Sequence, residues 1–206
     1  MVTERLAWFG SALAFVVAMS ATPGPNNAMV TASGAVWGLR RTMPHVVGIS
    51  IGFPLMVLTV ALGAGELLRA KPWAQEGLRW LGAAYMLWLA VKIARARPEA
   101  VGEQDPRSGR PLSLWQAALF QWVNPKAWVA AIGAVVTYTT GGSALLGEAS
   151  ALAAMFLLVS VPVLLFWTLV GVGAARLLRT PRAMRRFSLA MAGLLVLSLV
   201  PLLLED

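Results

Sequence analysis

The chain has 206 residues, 58% of them hydrophobic and 13% charged, with a net charge of +8 and no cysteine. A soluble domain carries roughly a quarter charged residues, so this composition argues against one, and the missing thiols rule out a disulfide framework and thiol chemistry. The basic residues lie almost entirely between apolar runs, which assigns them to membrane topology rather than to nucleic-acid binding.

Six hydrophobic segments can be drawn in chain order, each long enough to cross a hydrocarbon layer of ~30 Å as a helix. The first runs over 6–38 and is interrupted at 22–27 by Thr22-Pro23-Gly24-Pro25-Asn26-Asn27. It reads as a retained membrane helix rather than a signal peptide. Glu4 precedes Arg5, and the hydrophobicity continues past Met19-Ser20-Ala21. The second covers 43–66 and begins near the sole histidine, His45, read here as an interfacial structural residue, with a response to pH as the alternative. Gly34 and Gly38, and then Gly48 and Gly52, have the spacing of close helix contacts, which serve internal packing or a homodimer equally well.

The third segment, 77–97, has Arg79 and Lys92 near its ends, where both can reach a headgroup layer. A polar loop with Pro and Gly follows at 98–111 and is the one natural divide. Beyond it come 112–139, interrupted at Asn124-Pro125-Lys126, then 149–175 and 186–204. The expected fold is an all-α integral membrane protein with six transmembrane helices. They form two inverted three-helix repeats, 1–97 and 112–206, joined by a cytoplasmic linker at 98–111.

Two observations favour the repeat. The first helix of each half is interrupted, and Pro54 with Gly63 recurs 108 residues later as Pro162 with Gly171. Three spans is an odd number, so the halves enter the membrane in opposite senses, as in transporters whose substrate sites lie at paired broken helices. Orientation follows from the basic residues. One side holds Arg5, Arg69, Lys71 and Arg79, a count of four. The other holds Arg40, Arg41, Lys92, Arg95, Arg97, Arg107, Arg110, Arg176, Arg179, Arg182, Arg185 and Arg186, a count of twelve. The richer side is expected to be cytoplasmic, which places both termini outside.

The interruptions carry the chemistry. Pro23 and Pro25 remove backbone donors, and Gly24 lets the chain bend. A broken helix exposes N–H groups at one new end, suited to a carboxylate, and carbonyls at the other, suited to an ammonium. Asn26 and Asn27 add amides that donate and accept. An α-amino acid fits two such opposed breaks. Lys126 lies near the middle of its segment, where a charge costs on the order of 2.5–3.5 kcal/mol. Such a residue faces a polar cavity, with Gln121, Asn124, Pro125 and the 22–27 stretch as its expected neighbours. It can hold a carboxylate, and it can also carry a proton. The alternative is a shifted boundary, with Lys126 snorkelling from an interface.

No carboxylate is expected in mid-membrane. The aspartates are Asp105 and Asp206, and Glu66 and Glu148 lie near segment ends. A neutral zwitterion is therefore easier to accommodate than lysine or arginine, and no cofactor or metal is implied. A membrane-embedded enzyme would need a recognisable nucleophile or metal motif, which is missing. A passive channel would want polarity along a continuous pore rather than at two breaks.

Three stretches resemble one family. Thr22-Pro-Gly-Pro-Asn26, the run from Trp80 through Gly82, Tyr85 and Trp88 to Ala94, and Phe120-Gln-Trp-Val-Asn-Pro-Lys-Ala127 are together similar to the LysE/RhtB family of bacterial amino-acid exporters. The likeness covers nearly the whole chain. The doubled asparagine and the stretch from Gly48 to Pro54 look most like its cysteine/O-acetylserine exporter branch. The resemblance implies export of amino acids or close derivatives across the bacterial inner membrane, driven by the proton gradient. It marks Pro23, Gly24, Pro25, Asn124, Pro125 and Lys126 as the motif residues. Many relatives carry an acidic residue where this chain has Phe53, which leaves the usual coupling group unaccounted for. The expected partners are an amino-acid substrate, protons and membrane lipid.

Overall fold

The computed structural model describes residues 2–65, 70–95, 110–178 and 180–200. Most of the 98–111 linker, Glu66, Asp105 and Asp206 lie outside the described residues. Among those described there is no strand. The elements are α1 (Val2–Ala21), α2 (Pro25–Thr59), α3 (Pro72–Arg95), α4 (Leu114–Phe120), α5 (Pro125–Tyr138), α6 (Leu145–Leu177) and α7 (Pro181–Leu197). Three stretches, Thr3–Ala21, Pro25–Ala64 and Gly142–Leu177, are long and apolar enough to cross a membrane. Large apolar side chains such as Leu62, Phe166 and Leu158 point outward along them. Water would oppose such a surface, whereas lipid accepts it. The chain is a multi-pass membrane protein.

Within α2 the chain reverses. Nine residues of continuous helix would separate Ser33 from Thr42 by about 13.5 Å. Their hydroxyls instead lie 3.2 Å apart, and both side chains are buried. The reversal is at Gly38, whose φ of 75° is a left-handed value that costs glycine little. Pro25–Trp37 is thus one arm of a helical hairpin, and the second arm runs on to Thr59. The glycine spacing 34–38 read from the sequence as a contact motif is half contact and half turn. Gly34 meets the Thr168 backbone, while Gly38 makes the bend.

Without a hydrophobic drive between helices in lipid, close packing needs small residues. On α5, Ala127, Ala130, Ala131 and Ala134 are all buried at i, i+3, i+4 and i+7 spacing. They meet Ala12 and Val16 of α1, Met56 and Val57 of α2, and Leu152 of α6. Gly48 and Gly52 sit against the backbone of Leu114 and Ala118 in α4, so this glycine pair serves internal packing. Gly171 of α6 lies against the Thr31 carbonyl, leaving no room for a Cβ. A second cluster joins Met86, Leu89 and Ile93 of α3 to Leu195 and Leu199 at the end of the chain's described part.

The 108-residue offset does not carry over to the glycines. Gly171 is a helix-contact residue, whereas Gly63 takes φ 107° in a wide helical turn, Val60–Ala64, with open space around it.

Candidate substrate site at two helix breaks

Both sequence interruptions are real breaks, with boundaries set by proline. The first lies at Thr22–Gly24. Gly24 is extended (φ −173°, ψ −174°), and Pro25 opens the new helix as its first residue. The second is a single tight turn, Gln121–Val123, followed by extended Asn124 and then Pro125 as the first residue of α5. Proline suits this place because the first helical N–H has no partner to lose. Asn26, Asn27 and Lys126 are therefore first-turn helical residues, not members of the irregular stretch as the sequence reading had them.

The two breaks meet. Asn26 Nδ2 donates to Gln121 Oε1 at 2.9 Å, and Gln121 Nε2 donates back to Asn26 Oδ1 at 3.2 Å. Gln121, wholly buried, also donates to the Ala117 carbonyl at 2.9 Å. Asn27 Nδ2 reaches the carbonyls of Ser20 at 2.9 Å and Thr22 at 3.0 Å, closing the loose end of α1. Asn124 caps α5 by accepting from the Lys126 N–H at 3.2 Å. Lys126 Nζ crosses to the first break and donates to the Thr22 carbonyl at 2.6 Å.

A cavity of about 60 Å³ opens between the breaks. Of the sequence-predicted site residues, Gly24, Pro25, Asn26, Asn27, Asn124 and Lys126 line it. Gln121, Pro23 and Pro125 do not, and Gln121 acts from behind by bracing Asn26. The remaining wall comes from Met19 and Ser20 of α1, Ile49 and Phe53 of α2, Ala127 and Ala130 of α5, and Phe156, Ser160, Val163 and Leu164 of α6. Of these the sequence reading had marked only Phe53, as the position of the relatives' acidic residue. Phe53 and Phe156 meet edge to face, with centroids 4.7 Å apart. Among the described residues, no carboxylate side chain lines the cavity.

The arrangement is electrostatically two-sided. The first-turn N–H groups of Asn26 and Asn27 have no acceptor within their own helix by position, and the helix dipole adds positive potential there. Lys126 adds a full positive charge. Facing them are the carbonyls of Ser20 and Thr22, at the C-terminal end of α1, where a cation is favoured. In the present conformation Asn27 and Lys126 satisfy those carbonyls.

Glycine at position 24 is a matter of space. Its φ is an ordinary extended value, but an added Cβ would lie 2.7 Å from Lys126 Cδ and 3.0 Å from Nζ. In α3, Gly82 does a similar service from outside. A Cβ there would meet the Val123 carbonyl at the second break.

His45 lies on the second arm of α2. It is buried inside the protein, 2% exposed, with no partner for either ring nitrogen among the described residues.

Comparison with known proteins now adds to this geometry. The profile of the family described as LysE type translocator matches residues 17–205. A cysteine/O-acetylserine efflux protein of Klebsiella pneumoniae is 35% identical over 126 residues, 61% of this chain and 62% of that protein. One of the same description from Escherichia coli K12 is 34% identical over 117 residues, 57% of this chain and 58% of that protein. The alignments thus span about three fifths of the curated relatives' length. No solved structure matches the chain.

Proposed function

This chain belongs to the LysE type translocator family, and we propose that it is a secondary active transporter. It exports small neutral amino acids or their derivatives from the bacterial cytoplasm across the inner membrane, by proton antiport. The observation that carries the reading is the convergence of two proline-opened helix starts, one lysine and one set of helix-end carbonyls on a single cavity.

A zwitterion complements that cavity at both ends. Its carboxylate pairs with Lys126 and the N–H groups at the start of α2. Its ammonium replaces Lys126 Nζ on the Thr22 carbonyl, a charge-assisted bond of roughly 1.5–3 kcal/mol. Binding then exchanges one ammonium for another and frees the lysine for the carboxylate. The aromatic pair Phe53 and Phe156, with Ile49 and Leu164, receives a small side chain. A cationic side chain would find no carboxylate on the wall, which favours cysteine, O-acetylserine, threonine or homoserine over lysine and arginine. The names of the relatives fit this preference.

The proposed frame is six crossings in two inverted halves. In its support, α1 is tied to the far end of α5. Trp8 Nε1 donates to the Tyr138 carbonyl at 3.1 Å, and Tyr138 Oη donates to the Ser11 carbonyl at 3.1 Å. The broken segment from α1 into α2 therefore runs antiparallel to the broken segment from α4 into α5. With the basic loops inside, both termini face outward.

Export profiling tests the reading. The chain is expressed in a strain lacking its own exporters, and the amino acids appearing in the medium are measured. Neutral small amino acids should appear. Purified protein in vesicles should also show counterflow, which a channel or an enzyme would not.

A further inference from the structure

We infer that His45 is the proton-binding group of the transport cycle. The inference rests on the proton-coupled export reading and adds the place where the proton sits.

His45 is the only histidine of the chain. It is buried, and among the described residues neither Nδ1 nor Nε2 has a hydrogen-bond partner. Leaving a buried polar group unsatisfied costs about 1–3 kcal/mol, and nearly all such groups in folded proteins are satisfied. An apolar side chain would fill the position without that cost, so packing does not account for a histidine.

Its position supplies an account. His45, Ile49 and Phe53 stand at i, i+4 and i+8 on the second arm of α2, and so share one face. Ile49 and Phe53 line the cavity between the helix breaks. His45 is one turn further along, about 6 Å from the level of Ile49. Beyond it, buried Thr42 and Ser33 touch at 3.2 Å, and Thr42 donates to the Gly38 carbonyl at 2.8 Å. The hairpin turn there is followed by exposed Arg40 and Arg41. His45 is thus the titratable step between the cavity and the protein surface at Gly38.

The charged surroundings suit a passing proton better than a resident one. Arg40 and Arg41 precede His45 on its own arm. Among elements packed on α2, α4 and the 121–123 turn have no ionisable side chain, α5 brings Lys126 and, at its far end, Tyr138, and α7 brings Arg182, Arg185 and Arg186. In α6 the ionisable residues are Glu148 and Arg176, at its ends, and Glu148 is bonded to Thr140. α3, which reaches the same buried cluster, carries Glu76, bonded to Trp80 near its start, Tyr85, Lys92 over the Trp88 ring, and Arg95 at its end. No carboxylate on these elements is placed to fix an imidazolium. The step is a simple protonation. One ring nitrogen takes a proton arriving through the cavity, and the other releases its proton toward Gly38, with no other bond changed.

The test uses full-length protein in vesicles, with cysteine and O-acetylserine as substrates and a lumenal pH dye. His45→Gln keeps hydrogen-bonding capacity but cannot become charged. It should retain counterflow within about twofold and lose gradient-driven transport and substrate-linked proton movement by on the order of tenfold. Proton-coupled transport at the wild-type rate in His45→Gln would overturn the inference. A wild-type protein that shows counterflow without proton movement would overturn the coupling itself, and one without counterflow would overturn the export reading.

A second measurement needs no variant. Because the chain has one histidine, ¹⁵N-histidine labelling of protein without a histidine tag gives a single imidazole signal. Substrate should change its protonation within about pH 5 to 8. An imidazole locked in one neutral state throughout, with and without substrate, would overturn the inference even if His45→Gln failed to insert.

Discussion

The Lys126 ammonium donates to the Thr22 carbonyl at 2.6 Å across 104 residues of sequence, joining the two helix breaks at one cavity. A snorkelling lysine would reach away from the cavity for an interface. This one reaches across it, to the carbonyl end of α1.

The glycine beside this bond gives the first prediction. Gly24→Ala places a Cβ against the movable end of Lys126. Membrane abundance and thermal midpoint should stay near wild type while transport falls. Gly171→Val instead drives a side chain into the Thr31 backbone, an overpacking cost of about 1–3 kcal/mol or more. Its thermal midpoint should drop, and its transport only in proportion to the protein lost. Equal melting points for the two variants would contradict this division of roles.

The reciprocal amide pair between Asn26 and Gln121 gives the second. Asn26→Ala leaves the buried Gln121 amide short of one partner, at about 1–3 kcal/mol. Combined with Gln121→Ala, the losses should be less than additive, with a coupling of about 0.5–3 kcal/mol in chemical unfolding from detergent. Additive losses would mean that the two breaks are not braced by this pair.

These residues also indicate how much the sequence disclosed. Proline, glycine and asparagine clustered within apolar runs are local signals, so both breaks and Lys126 were legible. The alanine face of α5 is likewise written at helical spacing. Phe156 and Ser160 were not legible as site residues, and Phe53 was marked only through the family resemblance. An aromatic or a serine in an apolar helix looks the same whether it faces lipid, a neighbour or a cavity, and only the tertiary arrangement separates these. Gly38 was ambiguous for a related reason. Four-residue glycine spacing marks close contact, and nothing local distinguishes that from a turn, although the following Arg40 and Arg41 mark the end of a span. The burial of His45 was not legible either, because its neighbours Arg40 and Arg41 in sequence are exposed while its own side chain turns into the packed interior.

Topology gives the third prediction. With twelve basic residues assigned to one side and four to the other, a reporter fused after Asp206 should be active only if it is a periplasmic type. Cytoplasmic labelling of the C-terminus would overturn either the six crossings or their orientation.

Substrate charge gives the fourth. With no carboxylate among the described residues of the cavity wall, neutral amino acids should be exported in preference to lysine and arginine. Robust lysine export with no effect on neutral amino acids would contradict the reading of the cavity.

The central claim, that Lys126 holds the substrate carboxylate in a cavity made by two helix breaks, is tested most directly by export from Lys126→Ala and Lys126→Arg cells at equal membrane abundance. Lys126→Ala should abolish export while remaining inserted, since it removes a charge whose placement in the membrane is costly. Lys126→Arg keeps the charge without the ability to release a proton. With the proton carried at His45, it should retain part of both exchange and gradient-driven export. Wild-type export from Lys126→Ala would contradict the account and return this lysine to a snorkelling role.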